Sequence, residues 1–201
     1  ANFYNTDWKD RNLTKQIETG AGDSGDTDVI FLTGVNQNHS GVEVEASAQL
    51  IDMLRLDVAL SFGDWSFVDD ANGTYKDAAG VPLGEYSYAL KDLKVGDMPQ
   101  TSYVAGVTLT PMSGLKIQAL YNMYADNYSD WSPNAREYDG SDEDADREQV
   151  WMAPGYSALD LHATYDLPSM GEYNVQAFVH VFNALDAVFV QDAVDHSQYN
   201  S

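Results

Sequence analysis

Asp142, Asp144 and Asp146 occupy every second position of the run DGSDEDADRE, residues 139–148, a spacing that can converge oxygen ligands on a calcium ion. An EF-hand loop needs Gly at its sixth position and Glu at its twelfth. Counted from Asp142 those positions hold Arg147 and Ala153, so the run reads as a solvated acidic loop. The stretch DDANGTYKD, residues 69–77, carries an Asn-Gly pair that suits a turn in a loop of the same kind. His162 and His180 are symmetric about Gly171, which sets them side by side if the segments around them are adjacent strands. Two imidazoles without a third ligand make a poor metal site, so polar packing is their expected role. No Ser/His/Asp or Cys/His arrangement and no phosphate loop stands in a recognisable context, so no enzyme activity, cofactor or metal site is expected.

The aromatic residues point to binding. Tyr75, Tyr86, Tyr88, Trp131, Tyr138, Trp151 and Tyr199 lie in stretches dense in carboxylates, and His196 accompanies the last of them. Aromatic faces stack on sugars or planar groups, while carboxylates accept hydrogen bonds from hydroxyls and repel anions. These eight residues are the expected ligand contacts, and the set favours a neutral or cationic ligand such as an oligosaccharide or peptide. Lys and Arg number 10 against 32 Asp and Glu, a net charge of −22 that excludes a nucleic-acid partner. Of those acids, 21 fall in four segments, residues 12–29, 69–98, 130–154 and 186–201, which separates loops from what lies between them.

What lies between them alternates. In LRLDVALSF, Leu54, Leu56, Val58, Leu60 and Phe62 are apolar, and the residues between are polar or small. This is period two, the pattern of a strand whose faces meet different surroundings. Strands are expected at residues 1–10, 30–51, 54–68, 101–110, 115–128, 156–165 and from 173 onward. Three connections are short (IDML, PMSG and DLPSMGE) and the others are long and acidic. Glu43, Glu45, Asp57, Asp160, His162 and His180 all fall on the polar faces, where they would line a wet interior. Short turns at one end and long loops at the other match an outer-membrane β-barrel. A soluble, secreted β-sandwich binding carbohydrate through its loops also alternates, and periodicity alone does not separate the two. For a barrel, Tyr165, Tyr173, Trp65, Tyr128 and Trp131 would sit in the interfacial girdles.

Four stretches add a resemblance. NHSGVEVEASAQL (residues 38–50), VGDMPQTSYVAGVTLTP (95–111), HVFNALDAVFVQDA (180–193) and ANFYNTDWKDR (1–11) resemble strand motifs of TonB-dependent outer-membrane receptors, in the family's order. The resemblance spans essentially the whole chain. It implies an all-β fold, about seven antiparallel strands of a large barrel of the roughly 22-strand type, with short periplasmic turns and long extracellular loops. Residues 1–201 would be the C-terminal segment of that barrel, without the plug domain or last strand. The implied function is active import across the bacterial outer membrane of a scarce small ligand: siderophore, oligosaccharide, peptide or cobalamin. Implied partners are outer-membrane lipid, the remaining barrel strands and plug, and TonB through that plug. The start at Ala1, without methionine and inside a strand, is read as a segment of a longer, processed protein.

Overall fold

Alternating β-branched and aromatic residues favour extended backbone. The computed structural model, which describes residues 1–18, 27–77, 79–139, 141, 145–168 and 171–195, consists mainly of strands. They are β1 (Asn2–Glu18), β2 (Thr27–Ile51), β3 (Leu54–Phe67), β4 (Ala71–Lys76), β5 (Pro82–Tyr88), β6 (Pro99–Met112) and β7 (Leu115–Tyr128). A one-turn helix, α1 (Pro133–Arg136), precedes β8 (Glu137–Tyr138), β9 (Met152–Ala153), β10 (Tyr156–Asp166) and β11 (Gln176–Val181). No helix among the described residues is long and apolar enough to cross a membrane, which says nothing of strands.

All eleven strands join one antiparallel sheet, ordered β11-β10-β7-β6-β3-β2, with β1 along the other edge of β2. β3 pairs with residues 37–51 of β2, and β4 continues along residues 29–33 of the same strand, followed by β5 and β8. The seven expected strands are therefore present. The sequence reading missed the β4–β5 hairpin, which occupies a stretch expected to be irregular. Asn72 and Gly73 lie inside β4 and not at a turn. A Cβ on Gly73 would come within 2.9 Å of Tyr88 and 3.0 Å of Ile30 and Leu32, so the glycine is required by packing.

Cross-strand register divides the sheet into two faces. Val44 opposes Leu60, Leu60 opposes Tyr103, and Tyr103 opposes Met123. Two rows away on the same face, Leu56, Val107, Ala119, Leu161 and Val181 line up across five strands. This face is apolar and uncovered: Val58 is 43% exposed, Ile117 40% and Val181 45%. The opposite face carries Ser61, Asp57, Thr108, Gln118, Asn122 and His162.

Buried hydrophobic side chains gather only at the loop end, where Ile30, Leu32, Val35, Phe67, Ala71, Tyr88, Leu90, Leu93, Trp131 and Val150 form the core among the described residues. Two irregularities make this possible. The pairing of β1 with β2 slips between Trp8 and Arg11 and again between Arg11 and Leu13, where Asp10 and Gly34 take left-handed φ of 53° and 69°. A bulge moves the following side chains to the other face, so Leu32 and Ile30 join Val35 beneath the loops.

Candidate functional site

The six expected interior residues share one face. Glu43 opposes Ser61 and Glu45 opposes Ala59, four and two positions from Asp57, which opposes Gly106. Gly106 opposes Leu120, Leu120 opposes Asp160, and two residues on His162 opposes His180. Arg55 donates to Asp57 at 2.7 Å, and Asn2 donates to Glu43 at 3.2 Å. Asp160 is a structural hub. It accepts from Asn122 Nδ2 at 2.9 Å and from the backbone N–H of Asn183 at 2.8 Å. Asn183, at φ 49°, then closes a turn by exchanging hydrogen bonds with Ala187. The FNALD stretch thus bends the chain out of β11 and across the loop end.

Higher on the same face, Trp65 Nε1 donates to Tyr4 Oη at 2.9 Å and the Trp65 ring stacks on His39 at 5.2 Å. Gly41 and Gly63, opposed in register, leave the space these rings occupy. Trp65 therefore belongs to the polar face and not to an apolar girdle. Tyr128 packs against the loop-end core and Trp131 is inside it, so neither joins a girdle. Tyr103 and Tyr121 are the tyrosines at the centre of the apolar face.

At the loop end the structure collects part of the expected binding set. Tyr88 is 0% exposed and Trp131 2% exposed, their rings 5.9 Å apart. They are core residues and cannot offer a face to a ligand, which corrects the expectation for both. Tyr75 meets Tyr86 edge-on at 6.1 Å, and both border the core half-buried. Trp151 is 45% exposed and stands apart from them. His196 and Tyr199 lie outside the described residues. Tyr138 Oη donates to Asp70 Oδ2 at 2.8 Å, with the Arg147 guanidinium over its ring at 5.6 Å.

Asp70 and Arg136, which the sequence reading did not single out, hold these loops together. Asp70 accepts from Arg147 at 2.6 Å and 2.8 Å and from the N–H groups of Leu90 and Lys91. The Arg147 guanidinium, then the Lys91 N–H and Tyr138 hydroxyl, hold its carboxyl well below the usual carboxylate range despite partial burial. The native state thus binds the proton less readily than the unfolded chain. Its stabilisation is complete above the unfolded value of 3.8 and is lost as pH falls towards the folded value. Hydrogen-exchange protection of Leu90 and Lys91 should therefore drop in acid below about pH 4, and Asp70→Asn should remove that dependence. Unchanged protection of the wild type down to about pH 2 would contradict this.

Arg136 is 0% exposed. It reaches Asp195 at 2.7 Å, Asp146 at 3.2 Å and the carbonyls of Asp146 and Glu148. Arg136 and Arg147, the two cations in so acidic a segment, were the signal available in the sequence.

The open part of this region is a polar recess of about 510 Å³ on the β4–β5 hairpin, lined by Thr33, Asn72, Gly73, Thr74, Glu85, Tyr86 and Ser87. Hydroxyls, an amide, a carboxylate and one tyrosine suit a polyhydroxylated ligand. Six of the chain's cations (Lys9, Lys15, Arg55, Lys94, Arg136 and Arg147) already pair with Asp, which leaves the loop surface strongly anionic. Asp97 adds to that field. Burial, with Asp130 and Asp192 nearby, raises its carboxyl above the usual range. Among the described residues no group of three or more His, Cys, Asp or Glu is placed to hold a metal ion. No protein-family model, no curated protein and no solved structure matches this chain.

Proposed function

We propose that this chain is part of the wall of a large outer-membrane β-barrel of the TonB-dependent receptor kind, and that its loop end gathers a scarce ligand for import. One observation carries the reading. Across the central strands the sheet has an uncovered apolar face and a polar face in unbroken register, with hydrophobic packing confined to one end. A sheet packed in water would cover that apolar face. A bilayer covers it without a second protein layer. A carbohydrate-binding sandwich would need a second sheet there, and the described strands form only one.

Strand length agrees. A crossing takes roughly 9–11 residues, and β2 has 25, so its loop-side half extends clear of the bilayer and carries the β4–β5 hairpin. The ligand favoured by the acidic surface and the recess is neutral or cationic and rich in hydroxyl or amide groups, an oligosaccharide or peptide.

The chain contains no cysteine, which allows a clean topology test. Single cysteines at Asp139, in a long loop, and at Ser113, in the turn between β6 and β7, would be treated in intact cells with a membrane-impermeant maleimide. Labelling at 139 and none at 113 until the cells are opened is expected. Labelling at 113 in sealed cells would refute the orientation, and recovery of the protein in the soluble fraction would refute the membrane reading.

A further inference from the structure

We propose that His162 and His180 form a two-histidine site for a divalent transition-metal ion, which would clamp the outer strand β11 to β10. The register sets the two residues directly opposite each other on the polar face. Their Nδ1 atoms are 2.6 Å apart, with ring centroids at 4.8 Å. Two imidazole nitrogens approach that closely only with a cation or a proton between their lone pairs. In the neutral pair one Nδ1 bears a proton and the other accepts it. A metal ion takes the same position when that proton moves to Nε2 through solvent, so both rings bind through Nδ1 and no net proton is released.

The expectation from sequence was polar packing, for want of a third ligand. Convergent nitrogens alter that judgement. Bonds of ~2.0–2.1 Å at a tetrahedral angle need an N···N separation of about 3.3 Å, so the rings must part by roughly 0.7 Å. The His180 side chain is exposed and has room for this. Both rings border a recess of about 340 Å³ lined also by Lys116, Gln118 and Thr164. Gln118 opposes His162 in register, which sets an amide next to the pair, and water completes the coordination. Phe178 and Phe182 flank the rings at 5.2 Å and 5.7 Å. No carboxylate lines the recess and a lysine does, so the hard cations Ca²⁺ and Mg²⁺ are disfavoured. Nitrogen ligands select Cu²⁺, Ni²⁺ or Zn²⁺.

The test uses the full-length protein in detergent, stripped of metal and titrated with Cu²⁺, Ni²⁺ or Zn²⁺ alone. The expected result is one saturable ion attributable to this pair, with a Cu²⁺ electron paramagnetic resonance spectrum showing coupling to two imidazole nitrogens. His162→Ala or His180→Gln should each weaken that ion beyond the ~10–100-fold cost of losing an outer partner, and Ca²⁺ should not compete. Heat-modifiable gel mobility would show that the variants fold. If folded variants bind with wild-type affinity and stoichiometry, or the two-nitrogen signal is missing, the pair shares only a proton and the proposal fails.

Discussion

Replacing Arg136 by methionine is expected to destabilise the loop end by about 3–5 kcal/mol, the usual cost of removing one partner of a buried ion pair. Arg136 is fully buried, and the carboxylate it faces, on Asp195, is 8% exposed. Without the guanidinium that carboxylate keeps the N–H of Trp151 at 3.2 Å as a donor but loses its cation. The carbonyls of Asp146 and Glu148 lose a donor in the same step. Methionine fills part of the volume, so lost charge compensation dominates over a cavity. The double variant Arg136→Met, Asp195→Leu should recover much of the loss, because it removes that buried carboxylate as well. Hydrogen exchange at the amides of residues 129, 130 and 195, whose backbone hydrogen bonds join the loops, reads the effect locally. A single variant within ~1 kcal/mol of wild type, or a double variant no better than the single, would show that Arg136 does not hold these loops.

The parts of this molecule that sequence alone revealed are those governed by neighbours two residues apart. Period two marked β1, β2, β3, β6, β7, β10 and β11, assigned Glu43, Glu45, Asp57, Asp160, His162 and His180 to one face, and set the two histidines opposite each other. The loop end was opaque because its determinants are distant in the chain. Arg136 meets Asp195 across 59 residues and Lys15 meets Asp130 across 115. Tyr88 and Trp131 read as exposed loop aromatics, since nothing local says that a hairpin and two loops close over them. Gly73 followed an asparagine and so signalled a turn, yet it is glycine because Tyr88, Ile30 and Leu32 crowd its α-carbon. Trp65 is subtler: its parity in β3 gave the polar face, but its position near a strand end suggested a girdle. The period was the better guide.

That same parity predicts the second large effect. Val58 lies mid-way along β3, opposite Ala46 on one side and Ala105 on the other, and is 43% exposed on the apolar face. Arginine there should cost about 2–4 kcal/mol if the position is near the bilayer midplane. The side chain would have to keep its charge in hydrocarbon or climb past Val44 and Leu60 to reach water. Ser61 is three residues along the same strand but on the polar face, directly across from Glu43. Arginine at 61 gains a carboxylate neighbour and should stay within ~0.5 kcal/mol of wild type. Denaturant unfolding of the full-length protein from liposomes compares the two positions, which lie about 10 Å apart along one strand and present opposite faces. Equal costs would mean that both faces meet water, as in a soluble sheet. A larger cost at 61 would mean that the polar face is the buried one. The membrane reading requires the ordering in which Val58→Arg is the costlier change.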